Sequence, residues 1–135
     1  MRISVIAVGR LRPPFQDDSQ HYHKLLAGLG RVEVVEVREG DQVAGRIPDR
    51  AYVILLASDG RTMDSVQFSE WLEERRHEGR ELCFVVGGPR GIDLDRCDLR
   101  LSLGPMTLPH QLARIVLLEQ LFRAHKIIAG QPYHY

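Results

Sequence analysis

Apolar residues along this chain alternate between two patterns, short unbroken runs and helical spacing. Residues 1–8 (MRISVIAV) form the first run and read as a buried strand. Gly9 to Pro14 interrupt it, and Pro13-Pro14 suit the first turn of a helix. Phe15, Tyr22, Leu25, Leu26 and Leu29 then recur at helical spacing until Gly28 and Gly30. Residues 32–37 (VEVVEV) are β-branched and predict a second strand. Residues 38–50 hold Gly40, Gly45 and Pro48, which leaves room for a loop and at most a short helical turn.

Tyr52 to Ala57 (YVILLA) predict a strand buried on both faces, closed by a turn at Ser58-Asp59-Gly60. Asp64 with Gln67 three positions on has the form of a capping box, and Phe68, Trp71 and Leu72 give the following helix its apolar side. Gly79 ends it. Residues 82–86 (LCFVV) predict another buried strand, Asp93 to Asp98 a short helix, and Leu99 to Leu103 the last strand. After a loop from Gly104 to His110, a final helix runs from about 110 to 129 and stops at Gly130. Strands alternating with helices predict one α/β domain over residues 1–135, with a mostly parallel sheet covered by helices on both faces.

Composition narrows the class. At 135 residues with 44% hydrophobic and 27% charged positions, the chain can build one core without a metal or disulfide. Cys83 and Cys97 lack metal-ligand spacing and read as free thiols of a cytoplasmic protein. No apolar run is long enough for a membrane span, and the first residues do not read as a signal peptide. The formal net charge is zero, but it is unevenly spread. Residues 1–31 carry a surplus of +3 and residues 104–135 of +2, against −5 in the middle. Basic ends that met in space would form a basic face. Almost all the cations are arginines, which suit bidentate phosphate contacts; a genome rich in arginine codons gives the same count.

Three strand ends look built for a ligand: Ala57 to Gly60, Gly87 to Gly91, and Gly104 to Pro109. Each alone is also compatible with an ordinary tight turn. Gly9-Arg10-Leu11-Arg12-Pro13-Pro14 does not match GxGxxG, and no GxxxxGK[ST] occurs, so dinucleotide and P-loop sites are excluded. The last helix has apolar residues around its whole circumference, among them Leu112, Ile115, Val116, Leu118, Leu121 and Ile127. Such a helix must be covered on all sides, which predicts a homodimer, with burial inside one chain as the alternative. Arg114, Glu119 and Arg123 interrupt that cylinder and require partners or a ligand. Arg123 and Glu119, four apart, could simply pair with each other.

The ordered set Phe84-Val-Val-Gly-Gly-Pro-Arg-Gly91, Leu101-Ser-Leu-Gly-Pro-Met-Thr-Leu-Pro-His110, Arg114, Phe122-Arg-Ala124 and Gln131-Pro-Tyr-His134, with Val5 to Gly9, resembles the SPOUT methyltransferases that methylate N3 of a pseudouridine in 23S ribosomal RNA. The resemblance implies a deep trefoil knot near the carboxyl end, an obligate homodimer, S-adenosylmethionine as methyl donor, and the assembled ribosome as substrate. It implies that the cofactor touches Leu56, Gly88 and the run Leu103, Gly104, Pro105, Met106, Thr107 and Leu108. It also makes His110, Tyr133 and His134 the candidates for orienting the base and handling its proton. Arg114 and Arg123 are the candidates for holding phosphate or the uracil carbonyls. No metal is implied.

This chain departs from the pattern in its short 38–50 connection, where family members usually carry a helix. Pro105 cannot donate a backbone hydrogen bond to an adenine, and the chain ends in Tyr135 where a charged residue is common. Two other functions stay open: a SPOUT-fold RNA methyltransferase with another target nucleotide, and a non-catalytic ribosome-binding protein.

Overall fold

In the computed structural model, which describes residues 1–133, the apolar runs become five strands of one parallel sheet. They are β1 (Arg2–Val8), β2 (Arg31–Val37), β3 (Tyr52–Thr62), β4 (Leu82–Val86) and β5 (Leu99–Ser102), in the order β2-β1-β4-β3-β5. The most continuously apolar segments take the middle: every residue of β4 is buried, as are Ile3 to Ala7 of β1. Their register, Ile3 beside Leu82 and Val5 beside Phe84, keeps like-facing residues in one layer. β2, whose glutamates alternate with valines, lies at an edge where one side meets water.

Three helices complete the fold: α1 (Phe15–Ala27), α2 (Ser65–Glu78) and α3 (His110–Ile128). The capping box of α2 is present, with Gln67 N donating to Asp64 Oδ1 at 2.7 Å and Asp64 N to Gln67 Oε1 at 2.8 Å. Gly79 ends it in the left-handed conformation, φ 75°. All three helices lie on the same face of the sheet. Leu26 of α1, Trp71 and Leu72 of α2, and Leu117 and Leu121 of α3 share one core with Ile3, Val5 and Phe84.

The expectation of helices on both faces is therefore corrected. The second face, formed by Ile6, Val53, Leu55, Cys83 and Val85, is covered by Val43 and Ile47 and by Ile92, Leu94 and Cys97. Residues 38–50 supply only two 3-10 turns, Gly40–Gln42 and Ala44–Arg46. That connection is too short to place a helix there. The short helix expected at Asp93–Asp98 is also absent. Ile92 and Leu94 are two apart, a spacing that presents both to the sheet only if the backbone is extended. Asp98 anchors the segment: its carboxylate accepts from Val53 N at 2.8 Å, and its own N–H donates to Val53 O at 2.9 Å. Arg96 donates to the carbonyls of Pro48 and Ala51. Both cysteines are free; Cys83 is fully buried, and burial raises its thiol pKa to about 11.

A second correction concerns β3. The turn expected at Ser58 to Gly60 is instead a bulge within a longer strand, because Arg61 and Thr62 resume pairing with Leu101 and Ser102. Gly60 permits this: a Cβ there would lie 2.6 Å from the carbonyl carbon and oxygen of Arg100.

The apolar cylinder of α3 is only partly covered by its own chain. Ile115, Leu117, Leu118, Leu121 and Phe122 are buried, whereas Leu112, Val116, Ile127 and Ile128 remain half-exposed.

Candidate functional site

The bulge in the middle of β3, the carboxyl ends of β4 and β5 and the first turn of α3 enclose a cleft with about 660 Å³ of empty space, its open mouth included. Parallel strands deliver their loops to this edge, so the three glycine-bearing segments become neighbours although they are far apart in sequence. β3 contributes Leu56 to Ser58, and β4 and its loop contribute Val86 to Gly88 with Gly91 and Ile92. The loop after β5 adds Leu103, Gly104 and Met106 to Leu108. Buried Ser102 shapes that loop: its hydroxyl lies within hydrogen-bond distance of Ser58 O, Gly104 O and Gly104 N. Gly104 has φ 138°, a conformation that favours glycine.

The structure brings together most of the expected cofactor residues. Leu56, Gly88, Leu103, Gly104, Met106, Thr107 and Leu108 all line the cleft. Pro105 does not; it is exposed, so its missing N–H is no loss to the lining. Among the described residues, the lining holds no Asp, Glu, Lys or Arg. An apolar wall with backbone polar groups and a Ser and a Thr suits an amphiphilic ligand that brings its own charge. S-adenosylmethionine is such a ligand, and the cleft fits it.

The candidate catalytic residues divide into two groups. His110 opens α3 and lines the cleft. Arg123 lies thirteen positions further along the same helix, about 20 Å away at 1.5 Å per residue. There Arg123 pairs with Glu119, its Nε and Nη2 donating to Oε1 at 2.9 and 2.6 Å, so the internal ion pair is real. That pairing holds the Arg123 guanidinium in its charged form. The tail is docked as far as Tyr133, whose ring meets Phe122 edge-on at 4.8 Å and lies 4.9 Å from the Arg123 guanidinium. His134 lies outside the described residues.

Arg114 is engaged in structure. It is 6% exposed, and its Nη2 donates to Glu36 Oε2 at 2.5 Å. Its Nη1 donates to Gly9 O at 3.4 Å, and its Nε has no partner among the described residues. Glu36 is a site residue that sequence reasoning missed, within a strand read only from its β-branched positions. The one signal pointing to it was Arg114 itself, a charge in an apolar helix that demanded a partner. Arg114 Nη1 on Gly9 O and Arg12 N on Gln111 Oε1 join the amino-terminal turn to α3, so the two basic ends of the chain do meet. His21 is exposed, whereas His23 is half-buried. Desolvation and then the nearby Arg114 charge lower its pKa below the ordinary 6.5, which favours neutral imidazole at neutral pH.

Among the described residues, no three His, Cys, Asp or Glu side chains converge on a metal position. No helix among them is long and apolar enough to cross a membrane.

A family model described as predicted SPOUT methyltransferase matches residues 1–134. The chain belongs to this family. Among similar SPOUT proteins is the ribosomal RNA large subunit methyltransferase H of Gemmatimonas aurantiaca, 38% identical with 99% of each chain covered. The protein of the same name from Gluconacetobacter diazotrophicus is 42% identical over 96% of this chain and 95% of its own. That of Gloeobacter violaceus is 37% identical, covering 100% of this chain and 99% of its own. The alignment to the Gemmatimonas protein runs over 153 positions, more than the 135 residues here, so this SPOUT domain is a shortened one.

Proposed function

We propose that this SPOUT domain is an rRNA methyltransferase that uses S-adenosylmethionine to methylate N3 of a pseudouridine in 23S rRNA. On this reading it acts in the cytoplasm, on the assembled ribosome, and as a knotted homodimer. The observation that carries the reading is the cleft without Asp, Glu, Lys or Arg, assembled from the β3 bulge and two glycine-bearing loops. Backbone groups of Leu56, Gly88, Leu103, Gly104 and Met106 to Leu108 would hold the cofactor, which supplies a methyl carbon on a positively charged sulfur. The absence of a cationic side chain in the wall avoids repulsion of that charge. His110, at the rim, is placed to accept or orient the proton that N3 must lose.

Two features support the dimer. The half-exposed apolar residues of α3 need cover. The separation of about 20 Å between His110 and Arg123 keeps a chain's docked tail away from its own cleft. A second chain can bring Arg123, Tyr133 and His134 to the cleft of the first. Mixed dimers of one tail-truncated and one cleft-defective chain therefore recover activity, and a complete absence of recovery argues against the shared site.

Calorimetry with S-adenosylmethionine tests the enzyme directly. Saturable binding is expected, and its absence in the folded protein leaves the non-catalytic ribosome-binding role. Mass spectrometry of rRNA from a deletion strain, with and without the gene restored, identifies the nucleotide. A methyl group lost from another position would replace the pseudouridine assignment.

A further inference from the structure

A second cleft opens on the other side of the amino-terminal turn, between α1 and β2, with about 830 Å³ of empty space, its open mouth included. It is polar: Arg10, Gln16, Gln20 and His23 line it together with Glu36 and Arg114. A narrower cavity with about 190 Å³ of empty space lies between it and the cofactor cleft. His110 and Gly87 line both this neck and the cofactor cleft, whereas Arg10, Leu11 and Arg114 line both the neck and the polar cleft. The two clefts therefore stand on either side of one wall, the turn of residues 9–12.

That wall is held rigidly by its backbone. Gly9 N donates to Val37 O at 2.8 Å, and Gly9 O accepts from Arg114. Leu11 N donates to Glu36, Leu11 O accepts from Gln16 Nε2 at 3.1 Å, and Arg12 N donates to Gln111 Oε1 at 2.9 Å. Five polar contacts thus fix the turn that carries Arg10, while the Arg10 guanidinium has no ion-pair partner among the described residues.

The charges in the polar cleft leave one of them unmatched. Glu36 and Arg114 neutralise each other. His23 is held toward its neutral form by burial and by Arg114. The surplus positive charge at neutral pH is Arg10, with the amides of Gln20 and Gln16 beside it. A preorganised guanidinium beside neutral donors suits a phosphate oxygen better than a carbonyl or an apolar group.

We infer that the polar cleft is the acceptor-side site, and that Arg10 grips an RNA phosphate next to the nucleotide presented to the cofactor cleft. This rests on the RNA methyltransferase reading above. It gives the phosphate-holding role expected of Arg114 to Arg10, and makes Arg114 and Glu36 the positioning pair that holds the turn. Arg10 is exposed and its neighbours fix backbone atoms, so its replacement leaves the turn in place.

The test uses the full chain with ribosomes from a strain lacking the gene, assayed by co-sedimentation through a salt titration and by methyl transfer. Arg10→Ala is compared with Arg46→Ala, an exposed arginine on the second 3-10 turn that lines neither cleft. Arg10→Ala should weaken ribosome binding about tenfold and lower the salt slope by about 0.7–0.9, one phosphate contact. It should raise KM for ribosomes while leaving S-adenosylmethionine binding unchanged, and Arg46→Ala should do neither. Gln20→Glu, which sets a carboxylate in the same cleft, should weaken binding in the same direction. Equal losses for Arg10→Ala and Arg46→Ala, or native binding by Arg10→Ala, overturn the inference while the methyltransferase reading stands. If the native chain binds neither ribosomes nor S-adenosylmethionine, the methyltransferase reading falls and this one with it.

Discussion

Removing the Glu36 carboxylate tests the buried clasp that ties the first turn of the chain to α3. The Arg114 side chain is 7% exposed and that of Glu36 40%, so the two partners stand in different surroundings. In Glu36→Ala the guanidinium keeps its charge and its burial but loses the 2.5 Å contact. It retains only Gly9 O at 3.4 Å, with its Nε already unpartnered, and Leu11 N loses its acceptor as well. Orphaning one member of a fully buried pair costs about 3–5 kcal/mol; water can reach the half-exposed position of Glu36, which lowers the figure to about 2–3 kcal/mol. With an unfolding entropy of about 2.1 cal/mol/K per residue, or about 0.28 kcal/mol/K for the chain, Tm falls by about 7–11 °C. Arg114→Met is the reverse experiment. It removes the buried charge, retains most of the apolar stem and leaves a carboxylate that water can solvate, at a cost of about 1 kcal/mol. The double variant should therefore be more stable than Glu36→Ala alone, with a coupling of about 1–2 kcal/mol. Urea and thermal denaturation at one fixed protein concentration measure all four proteins, because an associating chain gains stability with concentration. A Glu36→Ala loss under about 0.5 kcal/mol, or a greater loss for Arg114→Met, would show that the clasp is not held by a buried charge.

Two further outcomes follow from single sites. Gly60→Ala places a methyl group 2.6 Å from the Arg100 backbone, so β3 and β5 must separate, at about 2–3 kcal/mol in urea denaturation. Gly45→Ala, with nothing within 4 Å of the added carbon, should be neutral or stabilising by up to about 1 kcal/mol, and equal losses at the two glycines would refute the steric account. His23, whose folded pKa lies below 6.5, takes up a proton more readily when unfolded, so stability falls as pH drops from about 6.5 through the lower folded value. In thermal melts at about pH 7.5 and about pH 5.5, His23→Gln should lose less Tm between the two than the native chain does; equal losses would assign the acid sensitivity elsewhere.

Much of the fold is written in local pattern. The runs at 1–8, 52–57 and 82–86 are apolar without alternation because parallel strands inside a sheet are buried on both faces. The α2 capping box and Gly79 set that helix's ends through contacts at most four residues apart, so they too are visible in one dimension. The glycine-bearing segments mark the cofactor cleft for a related reason. A strand followed by a loop of small residues delivers that loop to the sheet's carboxyl edge, whatever the neighbouring strand. Motifs at matching spacings carried the family.

Tertiary structure alone decided the rest, where a residue's role depends on a partner far along the chain. Asp93 to Asp98 has enough polar and apolar residues for a helical turn, but Asp98 is fastened to Val53, and extension lets Ile92 and Leu94 cover a sheet face. Glu36 looks like any outward acid of an edge strand until α3 brings Arg114 onto it. Arg123 and His110 belong to one helix, yet its rise of 1.5 Å per residue sets them about 20 Å apart. Helical spacing could show that α3 is apolar all round. Only the packed chain shows which of those residues its own core covers and which are left for another surface.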